Sequence, residues 1–233
     1  MKRLIFTCIL FSTLLTTISA QDSKLSAYLM VYHKDQDHGL HMAVSEDGYT
    51  WTALNDDQPV ISGDTIAMQQ GIRDPHIFRG PDGAFYLAMT DLHIYAQREG
   101  KRDTEWERDG KKYGWGNNRG LVLMKSRDLT HWSRANIDFS LLPAQPDMNW
   151  KEVGCVWAPE TVYDDERGQL MIHFTIREGA GKNRIYNFHY FLVIPPTTSS
   201  FSMLCSVFLT LALRDPKRQV TERLNERAQF HDF

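Results

Sequence analysis

Ser45-Glu-Asp-Gly-Tyr-Thr-Trp51 and Ser126-Arg-Asp-Leu-Thr-His-Trp132 share the frame S-x-D-x-x-x-W and recur 81 residues apart. Each follows an apolar run of strand length, Leu40-His-Met-Ala-Val44 before the first copy and Gly120-Leu-Val-Leu-Met124 before the second. Strand, polar turn and strand recurring in one order mark a repeated antiparallel sheet, of the kind that buries its apolar faces by stacking radially in a propeller. The spacing exceeds one usual propeller blade, and the polar, highly charged stretch 96–118 accounts for part of the excess. That stretch reads as a solvated loop; its Trp106, Tyr113 and Trp115 are also side chains that a sugar-stacking surface would use.

Outward from the repeat the pattern continues. Tyr28-Leu-Met-Val-Tyr32, Ala84-Phe-Tyr-Leu-Ala-Met89 and Leu170-Met-Ile-His-Phe-Thr-Ile176 are strand-length runs bounded by Asp-Gly, Gly-Pro-Asp-Gly and Arg-Gly turn signals. No long 3.6-residue periodicity appears before the tail, so the fold class is all-β. A third cycle opens at Asp164-Asp-Glu-Arg-Gly168, and Asn183-Arg-Ile-Tyr186 reads as its next strand, but the chain holds no third S-x-D-x-x-x-W. It instead runs through Phe191-Leu-Val-Ile-Pro-Pro196 to an apolar run, Phe201–Leu213, and a charged end. That run is too short to span a bilayer comfortably, and Pro195-Pro196 block its upstream extension. Residues 187–233 are therefore expected to stand outside the repeat, with 217–230 either a short amphipathic helix or part of a disordered tail.

The first twenty residues carry a basic start (Lys2-Arg3), an apolar core (Leu4 to Leu15) and a small-residue end (Ile18-Ser19-Ala20), which is the secretory pattern. Export to the periplasm or beyond is expected, with no membrane span left after cleavage. The 26 basic and 29 acidic side chains fall to 24 and 29 once Lys2 and Arg3 are removed. A mildly acidic chain without a Lys/Arg cluster lacks the electrostatic footprint of a nucleic-acid binder. Cys155 and Cys205 outlast cleavage without a paired spacing, so a disulfide is allowed but not implied. The nine histidines show no zinc-site spacing, and none is assigned as a metal ligand.

Two acidic residues stand out by their neighbours. Asp74 lies in Gly71-Ile-Arg-Asp-Pro-His-Ile-Phe78, where Pro75 makes a rigid turn and disfavours the helical region for the residue before it. A carboxylate at the mouth of a buried strand is a common catalytic placement and an equally familiar turn device. Glu160 closes Val156-Trp-Ala-Pro-Glu160 beside Trp157. Glycoside hydrolysis needs one carboxyl group to protonate the leaving oxygen and another to activate water or attack carbon, often over an aromatic floor. Trp157 with Glu160 fits that need, and a packed strand start fits the same residues.

Together with Arg119-Gly-Leu-Val-Leu-Met-Lys-Ser126, Asp128-Leu-Thr-His-Trp132 and Val156-Trp-Ala-Pro-Glu-Thr161, the Asp74 motif resembles glycoside hydrolase family 43 over residues 27–186. The resemblance implies a five-bladed β-propeller that cleaves arabinose- and xylose-containing plant polysaccharides by inversion. It further implies Asp74 as general base, with Trp157, Glu160, Arg73 and His76 lining the sugar site. No cofactor and no metal is implied, and a structural calcium ion is left open. The family's tuning Asp and acid Glu lie in later blades, and this chain departs from the pattern before reaching them. Arg214-Asp-Pro216 is not accepted as a replacement, because the residues after it are charged rather than strand-like. The chain is accordingly expected to be a truncated or frame-disrupted member of the family, an incomplete set of blades with an atypical tail. Three other readings stay open: a non-catalytic carbohydrate-binding propeller; a fructan-cleaving propeller hydrolase, whose Asn-Asp-Pro context is missing here; and a chain with no stable function, its ring of blades being incomplete.

Overall fold

The computed structural model describes residues 27–96, 98–101, 109–143 and 148–190. The expected secretory segment, the thirteen-residue apolar run, Trp106 and Cys205 lie outside them. Three antiparallel meanders succeed one another along the chain. The first comprises β1 (Tyr28–His33), β2 (Leu40–Ser45) and β3 (Thr52–Ala53); the second β4 (Ile72–Arg79), β5 (Phe85–Asp91), β6 (Gly120–Ser126) and β7 (Ser133–Asp138); the third β8 (Val153–Asp164), β9 (Gln169–Glu178) and β10 (Arg184–Tyr190). In each sheet the strands lie in chain order. The opening strands pack side by side, β1 against β4 and β4 against β8. This is the arrangement of successive propeller blades, with the first strand of each next to the axis.

The middle blade shows why its strands are apolar almost throughout. Successive strand side chains point to opposite faces. Leu87, Met89, Val122 and Met124 face the first blade and pack with Leu40, Met42 and Ile72. Tyr86, Ala88, Leu121 and Leu123 face the third blade and pack with Phe139, Trp150, Val156, Ile172, Phe174 and Ile176. A blade covered on both faces has no solvent side, so alternation disappears from its central strands.

The two copies of the repeat adopt one turn. The Ser45 hydroxyl accepts from Asp47 and Gly48 N–H, while one Asp47 carboxylate oxygen accepts from Tyr49 and Thr50 N–H at 2.8 and 2.7 Å. In the second copy Ser126 accepts from Asp128 and Leu129 N–H, and Asp128 from Thr130 and His131 N–H at 2.9 and 2.8 Å. Each copy leads into the outermost strand of its sheet, and each has its fourth residue in the left-handed region, Gly48 at φ 79° and Leu129 at φ 65°. These amide donors hold the Asp47 carboxyl down to about 2 and push that of Asp128 lower still.

Two differences from the sequence reading concern element limits. β10 pairs with β9 as far as Tyr190 opposite Leu170, so the boundary expected at residue 187 falls inside a strand. Asp74 is not the first residue of its strand but the third residue of β4, at an irregularity in the ladder. Among the described residues no helix is long and apolar enough to cross a membrane.

Candidate active site

The same distortion occurs in β4 and β8. Between Arg73 and His76 the β4 ladder carries one extra residue against β5, and between Trp157 and Glu160 the β8 ladder does so against β9. Each bulge contains an X-Pro pair, Asp74-Pro75 and Ala158-Pro159, and in each the residue before proline is left-handed, with φ 47° and 48°. Proline disfavours the helical region for its predecessor, and a positive φ is costly for any residue with a Cβ. Strain of this kind persists only where surrounding bonds enforce it. A bulge also re-aims the side chains beyond it. His76 and Glu160 thus occupy matching positions in adjacent blades, as do Asp74 and Ala158.

The enforcing bonds come from three blades. The Asp74 N–H donates to His33 Nδ1 at the end of β1, at 3.1 Å. From β5, the fully buried Thr90 hydroxyl donates to Asp74 Oδ2 at 3.0 Å. The Ala158 N–H donates to the same hydroxyl oxygen at 2.9 Å. One residue beyond the second bulge, the Thr161 N–H donates to His76 Nδ1 at 3.1 Å. A ring nitrogen that accepts carries no proton, so His33 and His76 both serve as neutral acceptors through Nδ1. Burial lowers the affinity of both rings for a second proton, and for His33 the Arg73 guanidinium adds to this.

The sites expected from sequence are distributed around this frame. Asp74 is half-buried, and its Oδ1 has no hydrogen bond to the described residues, leaving that oxygen for a ligand or water. Arg73 pairs with Asp35, in the β1–β2 connection, and holds that carboxyl below its usual range. Its charge is therefore largely spoken for. Glu160 is exposed and close enough to His76 to act on it electrostatically. Trp157 is half-buried; its indole N–H donates to Gly116 O at 3.0 Å and the Arg177 guanidinium lies 5.1 Å over its ring. The 96–118 loop brings Trp115 edge-on to Trp157, with ring centroids 6.5 Å apart and Trp115 73% exposed.

His33, Thr90, Asp91 and Asn118 were not singled out by sequence. The signal was Met89-Thr-Asp-Leu-His93, two polar residues ending an apolar strand that is buried on both faces. Asp91 is fully buried, which pushes its carboxyl up to about 6, while the N–H groups of Gln69 and Met68 oppose the rise from 2.7 and 2.8 Å. With both oxygens engaged and no exposed surface, it is a structural carboxylate. Gly71 opens the motif because a Cβ there would lie 2.7 Å from His93 Cβ and 2.9 Å from His38 Cβ, the two rings being stacked at 3.9 Å. Among the described residues no three or more His, Cys, Asp or Glu side chains are grouped to hold a metal ion. Cys155 is a buried free thiol, and burial raises it to about 11.

Residues 23–204 match the glycosyl hydrolase 43-related family, described as "Probable glycosyl hydrolase domain". This chain belongs to that family. The glycosyl hydrolase 43-related match contains all three blades and runs past residue 187. An α-L-arabinofuranosidase of Bifidobacterium longum subsp. longum is 27% identical over 137 residues, 56% of this chain and 11% of that protein. Among solved structures, a glycoside hydrolase family 43 arabinoxylan arabinofuranohydrolase from Bacillus subtilis has a TM-score of 0.42 at 15% identity, over 74% of this chain and 34% of that one. An exo-1,5-α-L-arabinanase from a bovine ruminal metagenomic library has a TM-score of 0.37 at 12% identity, over 69% and 50%. The glycosyl hydrolase 43-related chain spans 11% of the curated relative and half or less of these two solved chains.

Proposed function

We propose that this chain hydrolyses O-glycosidic bonds in arabinose- and xylose-containing polysaccharides, with Asp74 as the general base that takes a proton from the attacking water and the departing sugar oxygen protonated from solvent. The observation that carries the reading is the Asp74 carboxylate, held in the strained bulge of β4, with Oδ2 fixed by Thr90 and Oδ1 uncommitted. A base must be within hydrogen-bond reach of the proton it takes, and a carboxylate with one tethered and one open oxygen meets that requirement. Water delivered opposite the leaving group inverts the anomeric carbon. Trp157, the exposed Trp115, Glu160, Arg73 and His76 supply the sugar-facing surface beside it. The basic, apolar and small-residue order of residues 1–20 supports export to where such polysaccharides are met.

The test uses 4-nitrophenyl α-L-arabinofuranoside and 4-nitrophenyl β-D-xylopyranoside, whose leaving group departs without needing a proton. The expected outcome is release of nitrophenolate by the full chain. No release above the uncatalysed rate from either compound sinks the proposal. Binding of arabino- or xylo-oligosaccharides without any release would favour the sugar-binding reading, for which Trp115 is the supporting observation.

A further inference from the structure

The Asp74 carboxylate is oriented by a hydroxyl whose own direction is set in the next blade. Thr90 Oγ1 has one hydrogen to donate and lone pairs to accept with. The Ala158 backbone N–H can only donate, and it points at that oxygen from 2.9 Å. The Thr90 hydrogen is left for a partner that only accepts when ionised, Asp74 Oδ2 at 3.0 Å. Thr90 is fully buried in β5, opposite Arg73 in the β4–β5 register, so neither water nor another side chain competes for the bond from the solvent side.

We infer that Thr90 is the positioning residue of the Asp74 base: its hydroxyl, directed by the Ala158 N–H, fixes the carboxylate so that Oδ1 faces the water. This rests on the proposed role of Asp74 as general base. The third blade thereby sets the orientation of a base carried by the second, through one oxygen atom. A hydrogen bond to an ionised acceptor is short and directional, and small misplacements of a reacting group cost rate out of proportion to their size. Thr90 Oγ1 bonds into both bulges, so its loss acts first on the carboxylate it orients and, through Ala158, on the bulge ahead of Glu160.

The experiment compares kcat and KM of the full chain with those of Thr90→Val, Thr90→Ser and Asp74→Asn on 4-nitrophenyl α-L-arabinofuranoside, with circular dichroism and melting curves for each. Val keeps the branched shape and removes the hydroxyl; Ser keeps the hydroxyl. Thr90→Val is expected to lower kcat about 10–100-fold, a larger factor than any change in KM. Thr90→Ser is expected to keep kcat within about threefold of wild type, since its hydroxyl offers the same donor and acceptor. Asp74→Asn activity lost with Thr90→Val unchanged, or with Thr90→Ser as impaired as Thr90→Val, overturns the role of Thr90 alone. Turnover that survives Asp74→Asn, or no turnover by the wild-type chain, overturns the Asp74 reading and this inference with it.

Discussion

Ala158 is an alanine at φ 48° directly before a proline, in a bulge that matches the one carrying Asp74. Nothing in its methyl side chain requires that conformation; the bond from its N–H to Thr90 does. Glycine occupies the left-handed region without the Cβ penalty, while a β-branched residue meets it most severely. Ala158→Gly is therefore expected to stabilise the fold by about 1 kcal/mol, and Ala158→Val to destabilise it by about 1–3 kcal/mol. Urea denaturation of both variants checks this, and a glycine variant less stable than wild type contradicts it. At this scale the sequence was partly legible. Asp74-Pro75 and Ala158-Pro159 were visible as X-Pro pairs in similar settings, yet a pre-proline residue is expected to be extended, so the left-handed backbone could not be read. It is imposed by His33 and Thr90, which lie 41 and 16 positions from Asp74.

Among the elements, the strands buried on both faces were the easiest to read, because residues 85–89 of β5 and 121–124 of β6 are uninterrupted apolar runs. β7, Ser133-Arg-Ala-Asn-Ile-Asp138, gives little strand signal in sequence: it carries only two buried apolar side chains, Ala135 and Ile137, with a polar residue between them. The joint between the second and third blades was also hidden. It is made by Asn118, fully buried just before β6, whose amide donates to the carbonyls of Gly120 and Val156 at 2.9 Å and whose oxygen accepts from the Val156 N–H at 2.7 Å. An isolated Asn after Gly-Asn reads as loop chemistry, and only the fold shows that β8 closes onto it. Asn118→Ala strands several buried backbone groups at once and is expected to cost about 3 kcal/mol in urea denaturation. A loss under about 1 kcal/mol would show that the joint is held by apolar packing alone.

For the whole molecule, the buried imidazoles set the response to pH. His38 is lowered to about 4, chiefly by burial and then by its stacked neighbour His93 and by Arg73, and His33 and His76 are lowered as well. Between about pH 4 and the ordinary histidine value of 6.5, the unfolded chain takes up a proton at His38 that the folded chain refuses, and His33 and His76 act in the same direction. Stability is thus expected to fall as the pH drops through that window. Asp91 acts in the opposite sense: with its carboxyl raised to about 6 from 3.8, the folded state holds the extra proton, and its contribution weakens as pH rises between those values. Denaturation midpoints measured from pH 4 to 7 should rise with pH, less steeply in His38→Gln and more steeply in Asp91→Asn. Slopes that both variants leave unchanged contradict these protonation assignments. The blade arrangement itself was foreseeable from the S-x-D-x-x-x-W repeat, since its two copies form the same turn; the contacts between blades, which build the candidate site, were not.

The most direct test of a water-activating base at the mouth of the propeller is the rate of 4-nitrophenyl α-L-arabinofuranoside hydrolysis by Asp74→Asn. The asparagine keeps the size of the side chain and can still accept from Thr90, but it cannot take a proton from water. With the fold intact by circular dichroism, kcat is expected to fall by about 100-fold or more. A folded Asp74→Asn chain that hydrolyses the compound at the wild-type rate would show that the base lies elsewhere.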